Sequence, residues 1–302
     1  MWMKKCCFPS LKKNIKMISK KEINRFSEML GIPERTIDKD WTLGHLLAGI
    51  SDNSYFRENL IFKGGTCLKK CYFENYRFSE DLDFTSVHIE KNKIRSNLKK
   101  VIRKIDSETG ILFGKIKIKD KIFQDNIAAY ECSMPFWGAS HPKNKNPPPE
   151  ARWGTFVKID FTIHEIICLE EEKKKIIHPY SDILSTDSIV CYSIEEIISE
   201  KFRAILQRSY AAPRDYYDLW YMIKNIDSIK WENVAQSFRK KCAYKNIIYK
   251  SIRDFFDKKK MASSKKEWAN SLSHHLKILP PFDVVISEIE REIVTKKIFT
   301  EA

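Results

Sequence analysis

Two aspartates separated by one apolar residue are the clearest candidates for chemistry in this sequence. They lie in the run Asp81-Leu82-Asp83-Phe84-Thr85, which is typical of a β-strand with one polar and one apolar face. Because strand side chains alternate, Asp81 and Asp83 project to one side, about 6 to 7 Å apart. Two carboxylates held this close raise each other's pKa unless a cation lies between them. The pair therefore indicates a divalent metal site, and a solvated acidic strand face is the alternative.

A third acid lies on another predicted strand, 155–163, in which the apolar residues share one parity. Asp160 has the other parity, together with Lys158 and Thr162. If this strand neighbours the first, three carboxylates converge, and Mg²⁺ prefers such hard oxygen ligands together with substrate phosphates. Two such ions can activate an attacking hydroxyl and stabilise a leaving pyrophosphate. Asp160 is therefore a candidate third metal ligand, with an ordinary strand-surface acid as the alternative.

An adjacent glycine pair, Gly64-Gly65, is the next candidate, because the chain has only nine glycines. An apolar strand is predicted at 59–63, and a short helix at 66–73. Without Cβ atoms, two glycines let backbone N–H groups approach an anion closely, and Thr66 lies where a helix N-cap hydroxyl would point at the same anion. The segment is predicted to bind a triphosphate, with a plain tight turn as the alternative.

Charged residues also fall on the apolar faces of two predicted helices. A capping box starts the helix at 193–208, and Lys201 lies in the middle of its isoleucine stripe. A lysine there needs an anionic partner, either a phosphate or a carboxylate. The next helix, 213–222, carries Asp215 and Asp218 on one face. These acids are predicted either to cap the helix and complement its dipole, or to orient Lys201 or contact substrate.

The composition agrees with a globular protein that binds polyanions. The chain has 302 residues, is 43% hydrophobic and 31% charged, and carries 54 basic against 40 acidic side chains, for a formal net charge of +14. This balance excludes disordered and collagen-like classes and favours nucleic acid or nucleotide phosphates as partners. No apolar run approaches the roughly 20 residues of a membrane span. The basic start, 1–17, lacks the apolar stretch of a signal peptide, so a cytoplasmic location is expected.

The eight cysteines are scattered and include no C-x-x-C pair, so we expect reduced thiols. Cys67 and Cys71 are four residues apart and can share a helix face. Two cysteines without nearby histidines are more often packing residues than metal ligands. The sequence therefore predicts no zinc or redox centre.

The elements that must position the candidates form an α+β fold. Helices are predicted at 23–50, with a break at Pro33, and at 90–105, and further strands at 111–118 and 127–134. The charge run 170–175 is predicted to be a solvated turn, and the chain is helical from residue 193 onward. This order predicts a mixed β-sheet domain with flanking helices, 1–190, followed by a helical C-terminal domain, 191–302.

Four motifs, in this order and spacing, resemble the AbiEii/AbiGii family. They are FKGGT at 62–66, RFSEDLDF at 77–84, EKFRA at 200–204 and RDYYDL at 214–219. Members of this family are bacterial nucleotidyltransferase toxins of abortive-infection and toxin–antitoxin systems, including the MenT type. The resemblance covers roughly residues 36–225. It implies a DNA polymerase β-like nucleotidyltransferase fold and a cognate antitoxin.

The resemblance also implies roles for individual residues. Phosphate binding falls on Lys63, Gly64, Gly65 and Thr66, metal binding on Asp81 and Asp83 with Asp160 as a third ligand, nucleotide phosphate contact on Lys201, and a further essential acid on Asp215 or Asp218. Members of the MenT branch add nucleotides to tRNA 3′ ends and so block translation.

We therefore expect a nucleotidyltransferase that uses two Mg²⁺ ions and a nucleoside triphosphate to modify a hydroxyl. The positive charge favours RNA as the acceptor, and the resemblance to the MenT branch implies a tRNA 3′ end. One alternative is transfer to a protein or a small molecule. Another is a non-catalytic module that binds RNA or an acidic partner. A metal nuclease is disfavoured, because no clear E-x-K follows an acidic strand.

Overall fold

The structure, a computed structural model, describes residues 18–123, 125–141 and 147–299. The predictions made for the basic start, 1–17, lie outside the described residues. Within these ranges the helices are α1 (Lys20–Leu30), α2 (Glu34–Asp52), α3 (Ser54–Asn59), α4 (Gly64–Cys67), α5 (Lys91–Thr109), α6 (Ile194–Gln207), α7 (Pro213–Asn225), α8 (Trp231–Tyr244), α9 (Lys258–Leu272) and α10 (Phe282–Thr295). The helix α4 continues into a π-helical turn, Leu68–Tyr72. Short 3₁₀ turns lie at Glu150–Arg152, Ile252–Phe256 and Ser273–His275.

The strands form one mixed sheet. They are β1 (Leu60–Lys63), β2 (Asp81–Ser86), β3 (Leu112–Phe113), β4 (Lys117–Phe123), β5 (Asn126–Trp137), β6 (Phe156–Thr162), β7 (Glu172–Lys175) and β8 (Ser188–Cys191). Their order is β3-β5-β6-β2-β1-β8-β7, and β4 also pairs with β5. The pairs β2–β6 and β1–β8 are parallel, and the other pairs are antiparallel. The predicted mixed sheet with flanking helices is confirmed.

The apolar parity of the two central strands builds the core. Phe84 of β2 stacks on Phe161 of β6 with ring centroids 5.9 Å apart, and both side chains are buried. Burying side chains of this size contributes about 1.5 to 3 kcal/mol each. The helices α2 and α5 approach closely at Gly49, where a Cβ would lie 2.8 Å from Val101. The apolar face is thus covered, and the acidic parity is left for the opposite face.

Two predictions for the sheet were wrong. The charge run contains an edge strand, β7, which pairs with β8; Glu172 and Lys174 are half-buried, while Lys173 and Lys175 are exposed. Charged edge strands discourage pairing with other chains. The single strand predicted at 111–118 is divided into β3 and β4, and the amide of Gly114 between them donates to the carbonyl of Pro135. The strand β8 was not predicted.

The helical region begins close to where the sequence predicts it. Ser193 caps α6 by accepting a hydrogen bond from the amide of Glu196. The predicted capping box is only half formed, because the carboxylate of Glu196 accepts hydrogen bonds from the amides of Cys168 and Leu169 instead. The division at residue 190 stays a prediction; it falls within β8. No helix in the described ranges has the length and apolar character needed to cross a bilayer.

Candidate active site

Strand register brings acids from separate strands into one row. In the parallel β2–β6 pair, Asp83 lies opposite Asp160, and Asp81 lies opposite Lys158. The row continues on both sides, because Lys63 of β1 lies opposite Asp83 and Glu131 of β5 lies opposite Asp160. Side chains of one parity share a face. The two strands predicted to carry the acids are therefore neighbours, and their acids share the polar face.

Asp81 and Asp83 are left without protein partners. In the described part of the chain, neither carboxylate has a hydrogen bond or an ion pair. Burial and the nearby Asp160 raise the pKa of Asp83 to about 7. Burial also raises the pKa of Asp81, although Lys39 opposes that effect. Half-buried acids that repel each other are favourable ligands for a divalent cation, because the ion removes both the repulsion and the cost of burying charge.

Asp160 differs from the other two acids because it already has a cationic partner. The ammonium of Lys121 on β4 lies 2.9 Å from Asp160 Oδ1 and 3.2 Å from Glu131 Oε2. The lysine is about half exposed, so it can leave this position at small cost. The donor set fits a metal ion at Asp81 and Asp83, and Asp160 can join them only by exchanging Lys121 for the ion.

The glycine pair lies directly against this row. Gly64 has a φ of +80°, and a Cβ there would lie 2.3 Å from Asp83 Oδ2. At Gly65 a Cβ would lie 2.7 Å from Arg77 Nη2. Both the left-handed backbone and the lack of space require glycine at residue 64. The glycines let the backbone pass between Asp83 and the buried guanidinium of Arg77.

Thr66 does not occupy the predicted position. The helix starts at Gly64 with Lys63 as its N-cap, so Thr66 is inside the first turn. Its hydroxyl is buried and donates to the main-chain carbonyl of Asp81, 2.5 Å away. The prediction that this hydroxyl caps the helix and points at an anion was therefore wrong. The side chain instead ties α4 to β2.

Lys63 contacts the helical region. Its ammonium donates to Glu200 Oε1 of α6 over 3.0 Å, and its side chain is buried. Although burial acts against it, Lys63 holds the pKa of Glu200 down at about 2. The predicted phosphate-binding lysine is thus fixed at the floor of the site by an acid that sequence analysis left unassigned.

Lys201 is held by both of the predicted acids of α7. Its ammonium lies 2.8 Å from Asp215 Oδ1 and 2.7 Å from Asp218 Oδ2. Arg208 also contacts Asp215. Asp215 is the third residue of α7, and Ala212 is the N-cap. Both acids therefore pair with Lys201, and Asp215 also lies in the first turn of α7, where an acid complements the helix dipole. The functional roles predicted for them stay predictions.

Arg77 links this network to the glycine pair. Its guanidinium binds Asp218 in a bidentate manner, with Nε 2.6 Å and Nη2 2.8 Å from the two carboxylate oxygens. Burial raises the pKa of Asp218, but Arg77 and Lys201 outweigh it and hold that pKa well below its usual range. Arg77 lies in one of the four motifs, but no role was predicted for it. Its place in a motif is the signal that could have marked it, and its burial explains why it needs a carboxylate partner.

Asp83, Asp160 and Gly64 open into a cleft of about 320 Å³, a volume at the low end for ligand sites. The other predicted site residues Asp81, Gly65, Thr66, Lys201, Asp215 and Asp218 are not among its described lining residues. Acidic and basic side chains both line the cleft: Glu165, Glu200, Lys63, Lys121, Arg203, Arg208 and Lys245. A lining that combines acids with several cations suits a metal-bound polyanion such as a triphosphate.

Comparison with known proteins places this geometry in a family. The family model described as nucleotidyl transferase AbiEii toxin, type IV TA system, matches residues 45–288. MenT4, a nucleotidyltransferase toxin from Mycobacterium tuberculosis H37Rv, has a similar structure, with a TM-score of 0.63 and 17% identity over 91% of this chain and 88% of that one. JHP933 from Helicobacter pylori gives a TM-score of 0.54 and 17% identity over 88% and 94%. Curated proteins give no match.

The two solved structures support the fold, and the family model supports the assignment of function. The family resemblance inferred from the four motifs is confirmed. Enzymes of this class use a nucleoside triphosphate and a divalent metal, and the type IV system implies an antitoxin partner. Because the family model matches most of its length, the chain belongs to the AbiEii family of nucleotidyltransferase toxins from type IV toxin–antitoxin systems.

Proposed function

We propose that the enzyme uses Mg²⁺ to transfer a nucleotidyl group from a nucleoside triphosphate to a hydroxyl at a tRNA 3′ end. One observation carries this proposal: Asp83 lies opposite Asp160 in the strand register and, at the same time, directly against Gly64. Metal ligands and a loop that can approach phosphate thus share one cleft. Nucleotidyl transfer needs both, because the metal and the phosphates are bound together.

Asp81 and Asp83 would hold Mg²⁺, and Asp160 would complete the ligand set once Lys121 moves away. When bound, a pair of such ions activates the attacking hydroxyl and stabilises the leaving pyrophosphate. The raised pKa of Asp83, caused by burial and Asp160, supports this role. A nearby cation returns the carboxylate to its ionised form.

The phosphates are assigned to the loop and the basic wall of the cleft. The absence of side chains at Gly64 and Gly65 leaves their backbone accessible, and Lys63 lies beside them with its ammonium fixed by Glu200. Arg208 lines the cleft and contacts Asp215. We assign Lys201 to stabilising charge that develops on the phosphates. Asp215 and Asp218 then act as positioning residues for that ammonium.

RNA is the acceptor class that the charge supports, because a net charge of +14 favours a polyanion. The tRNA 3′ end follows from the resemblance to the MenT branch. Modification there would block translation, and a cognate antitoxin would oppose it. The predicted magnesium dependence, tRNA acceptor and two-ion site are all part of this proposal.

The test is incubation of the purified enzyme with total RNA, Mg²⁺ and each α-labelled nucleoside triphosphate in turn. We expect label on RNA of tRNA size, absent when the 3′ termini of the RNA are oxidised before the reaction and absent with the Asp83→Asn variant. Asp283→Asn is the matched control, because Asp283 is 73% exposed and its only ion-pair partner among the described residues is Lys265.

Other outcomes identify the alternatives. Label on protein or on a small molecule would replace the tRNA acceptor but keep the transferase. RNA binding without label transfer, with no thermal stabilisation by nucleotide and Mg²⁺ together, would favour the non-catalytic module and end the proposal.

A further inference from the structure

Cys67 and Cys71, which are four residues apart, meet the distant Cys191 behind the glycine loop. Cys67 ends α4, Cys71 lies in the π-helical turn, and Cys191 ends β8. Their sulfur atoms all lie within 4.8 Å of one another. The three residues are almost fully buried, with exposures of 0%, 8% and 0%. Cys67 and Cys71 were predicted to be packing residues because no histidine is near them in the sequence. The parallel pairing of Phe62 with Cys191 brings a third potential ligand to them.

Polar groups border the cluster. The ammonium of Lys174 lies 5.0 Å from the ring centroid of Tyr72. The hydroxyl of Tyr72 lies 3.9 Å from Cys191 Sγ. Thiolate is the form in which cysteine binds metal ions.

The described residues contain one other compact group of potential ligands: His45, His178 and Asp182. There, the carboxylate of Asp182 is already hydrogen-bonded to both His45 and His178, at 2.8 Å and 2.7 Å. Both oxygens of that carboxylate are therefore already in use. The three thiols are weak donors and acceptors with little but each other for partners, so a bound ion would improve their interactions.

We propose that Cys67, Cys71 and Cys191 form a binding site for one thiophilic metal ion of the Zn²⁺ and Cd²⁺ class. Three sulfur ligands match the soft-ligand preference of these ions, and the fourth position is open to water or to the Tyr72 hydroxyl. Binding displaces the remaining thiol protons to solvent. A disulfide would use only two of the sulfurs, whereas a metal site uses all three.

The site would be structural, because none of its three cysteines is among the described lining residues of the cleft. Cys67 ends the short helix that begins at Gly64, and Cys191 belongs to the strand beside β1. An ion joining them would fix the helix of the glycine loop to the sheet and raise stability through its binding free energy. The proposal is independent of the acceptor and of the reaction mechanism.

The test is a titration of the full, reduced chain with Cd²⁺, followed by the ultraviolet absorption of cadmium–thiolate bonds. Excess Mg²⁺ is present so that the carboxylates of the cleft do not compete, and all proteins carry Cys6→Ser and Cys7→Ser so that this adjacent pair does not contribute. We expect one Cd²⁺ per chain, displaced by Zn²⁺. Cys191→Ser should weaken binding by more than about 100-fold, since even outer-shell changes cost about 10- to 100-fold.

The matched controls are Cys132→Ser and Cys242→Ser, two buried thiols outside the cluster, which should bind Cd²⁺ like the parent. Equal binding by Cys191→Ser and the parent would overturn the proposal, as would absence of thiolate absorption or rapid formation of a disulfide in its place. Should Cys191→Ser fail to fold, Cys71→Ser serves as the second variant. In addition, Zn²⁺ must raise the Tm of the parent protein; no rise would equally refute the site.

Discussion

Asp83 of the sheet and Asp218 of α7 are both buried or half-buried acids, but they differ in whether the described residues pair them with a cation. Asp83 has no ion pair in the described chain, and burial and Asp160 raise its pKa to about 7. Asp218 is buried between Arg77 and Lys201, which hold its pKa well below the usual range against the effect of burial. A charge that the protein leaves unpaired is available to a ligand. A charge that the protein pairs fully is used to fix geometry.

The largest effect that would test this comparison is loss of activity in Asp83→Asn. We expect transfer to fall by at least about 1000-fold, as when key electrostatic groups are removed from other active sites. The free energy of unfolding should be unchanged or higher, because a repelled carboxylate is lost. Labelled-nucleotide transfer and urea denaturation measure the two quantities, and Asp283→Asn is the control. Full activity would show that Asp83 does not hold the metal.

Asp218→Asn should lower stability, in contrast to Asp83→Asn. Removing this carboxylate leaves Arg77 and Lys201 buried without their shared partner, so the free energy of unfolding should fall by about 3 to 5 kcal/mol. Urea denaturation gives the value. The exposed pair of Asp283 and Lys265 provides the contrast, since Asp283→Asn should cost no more than about 1 kcal/mol. Equal decreases in the free energy of unfolding for the two variants would show that the buried network stabilises the protein no more than an exposed ion pair does.

Gly64→Ala and Gly31→Ala separate backbone strain from lack of space. Both glycines have positive φ, +80° and +65°, but a Cβ at Gly31 meets nothing within 4 Å. Gly31→Ala should therefore cost about 1 to 2 kcal/mol from strain alone. Gly64→Ala should cost about 1 to 3 kcal/mol more through its clash with Asp83, and it should also lose activity. Equal costs would show that the loop does not lie against Asp83.

Stability should depend on pH through Asp83 in the absence of metal. Its pKa is raised from 3.8 to about 7 in the folded chain, so the folded state binds the extra proton between these values. The free energy of unfolding contributed by this group therefore falls as pH rises from about 4 to about 7, by up to about 1.4 kcal/mol per pH unit. Urea denaturation in EDTA should show a steeper fall for the parent than for Asp83→Asn. Identical slopes would contradict the raised pKa.

The smallest expected effect concerns Lys121. If its ammonium competes with the ion for Asp160, Lys121→Met should lower the half-saturating Mg²⁺ concentration by about 1.5- to 5-fold, the range of an exposed ion pair. Lys265→Met is the matched control. An unchanged Mg²⁺ requirement would remove Asp160 from the ligand set and sharpen the distinction between the two kinds of acid.

The sequence predicts which face of a strand or helix a residue lies on better than it predicts which elements pack side by side. Alternation placed Asp81, Asp83 and Asp160 on polar strand faces, and the apolar stripe of α6 marked Lys201 as a residue in need of an anion. Alternation cannot say that β2 and β6 are adjacent, nor that Lys121 reaches Asp160 from a third strand. Those contacts depend on the pairing order, which no single strand encodes.

The polar face of α6 could not be recognised as buried from the sequence. Positions 196, 200 and 203 lie opposite the isoleucine stripe, where a solvent-exposed face would be expected, yet Glu196 and Arg203 are buried. They are buried because Lys241 of α8 pairs with Glu196 over 2.7 Å, and Glu165 pairs with Arg203 over 3.0 Å. Complementary charges from distant segments therefore allow this polar face to be buried. The position of Thr66 was mispredicted for a related reason, because its hydroxyl donates to a main-chain carbonyl of β2.

The contact between Arg77 and Asp218 also bears on the order of synthesis. The two residues are 141 positions apart, so a growing chain has no partner for Arg77 until α7 has left the ribosome. Folding of the glycine loop must wait for that segment, because an unpaired guanidinium resists burial. We expect a chain truncated after β8 to be inactive. The enzyme would then become competent only after α7 has been synthesised, and no shorter nascent chain would act as a toxin.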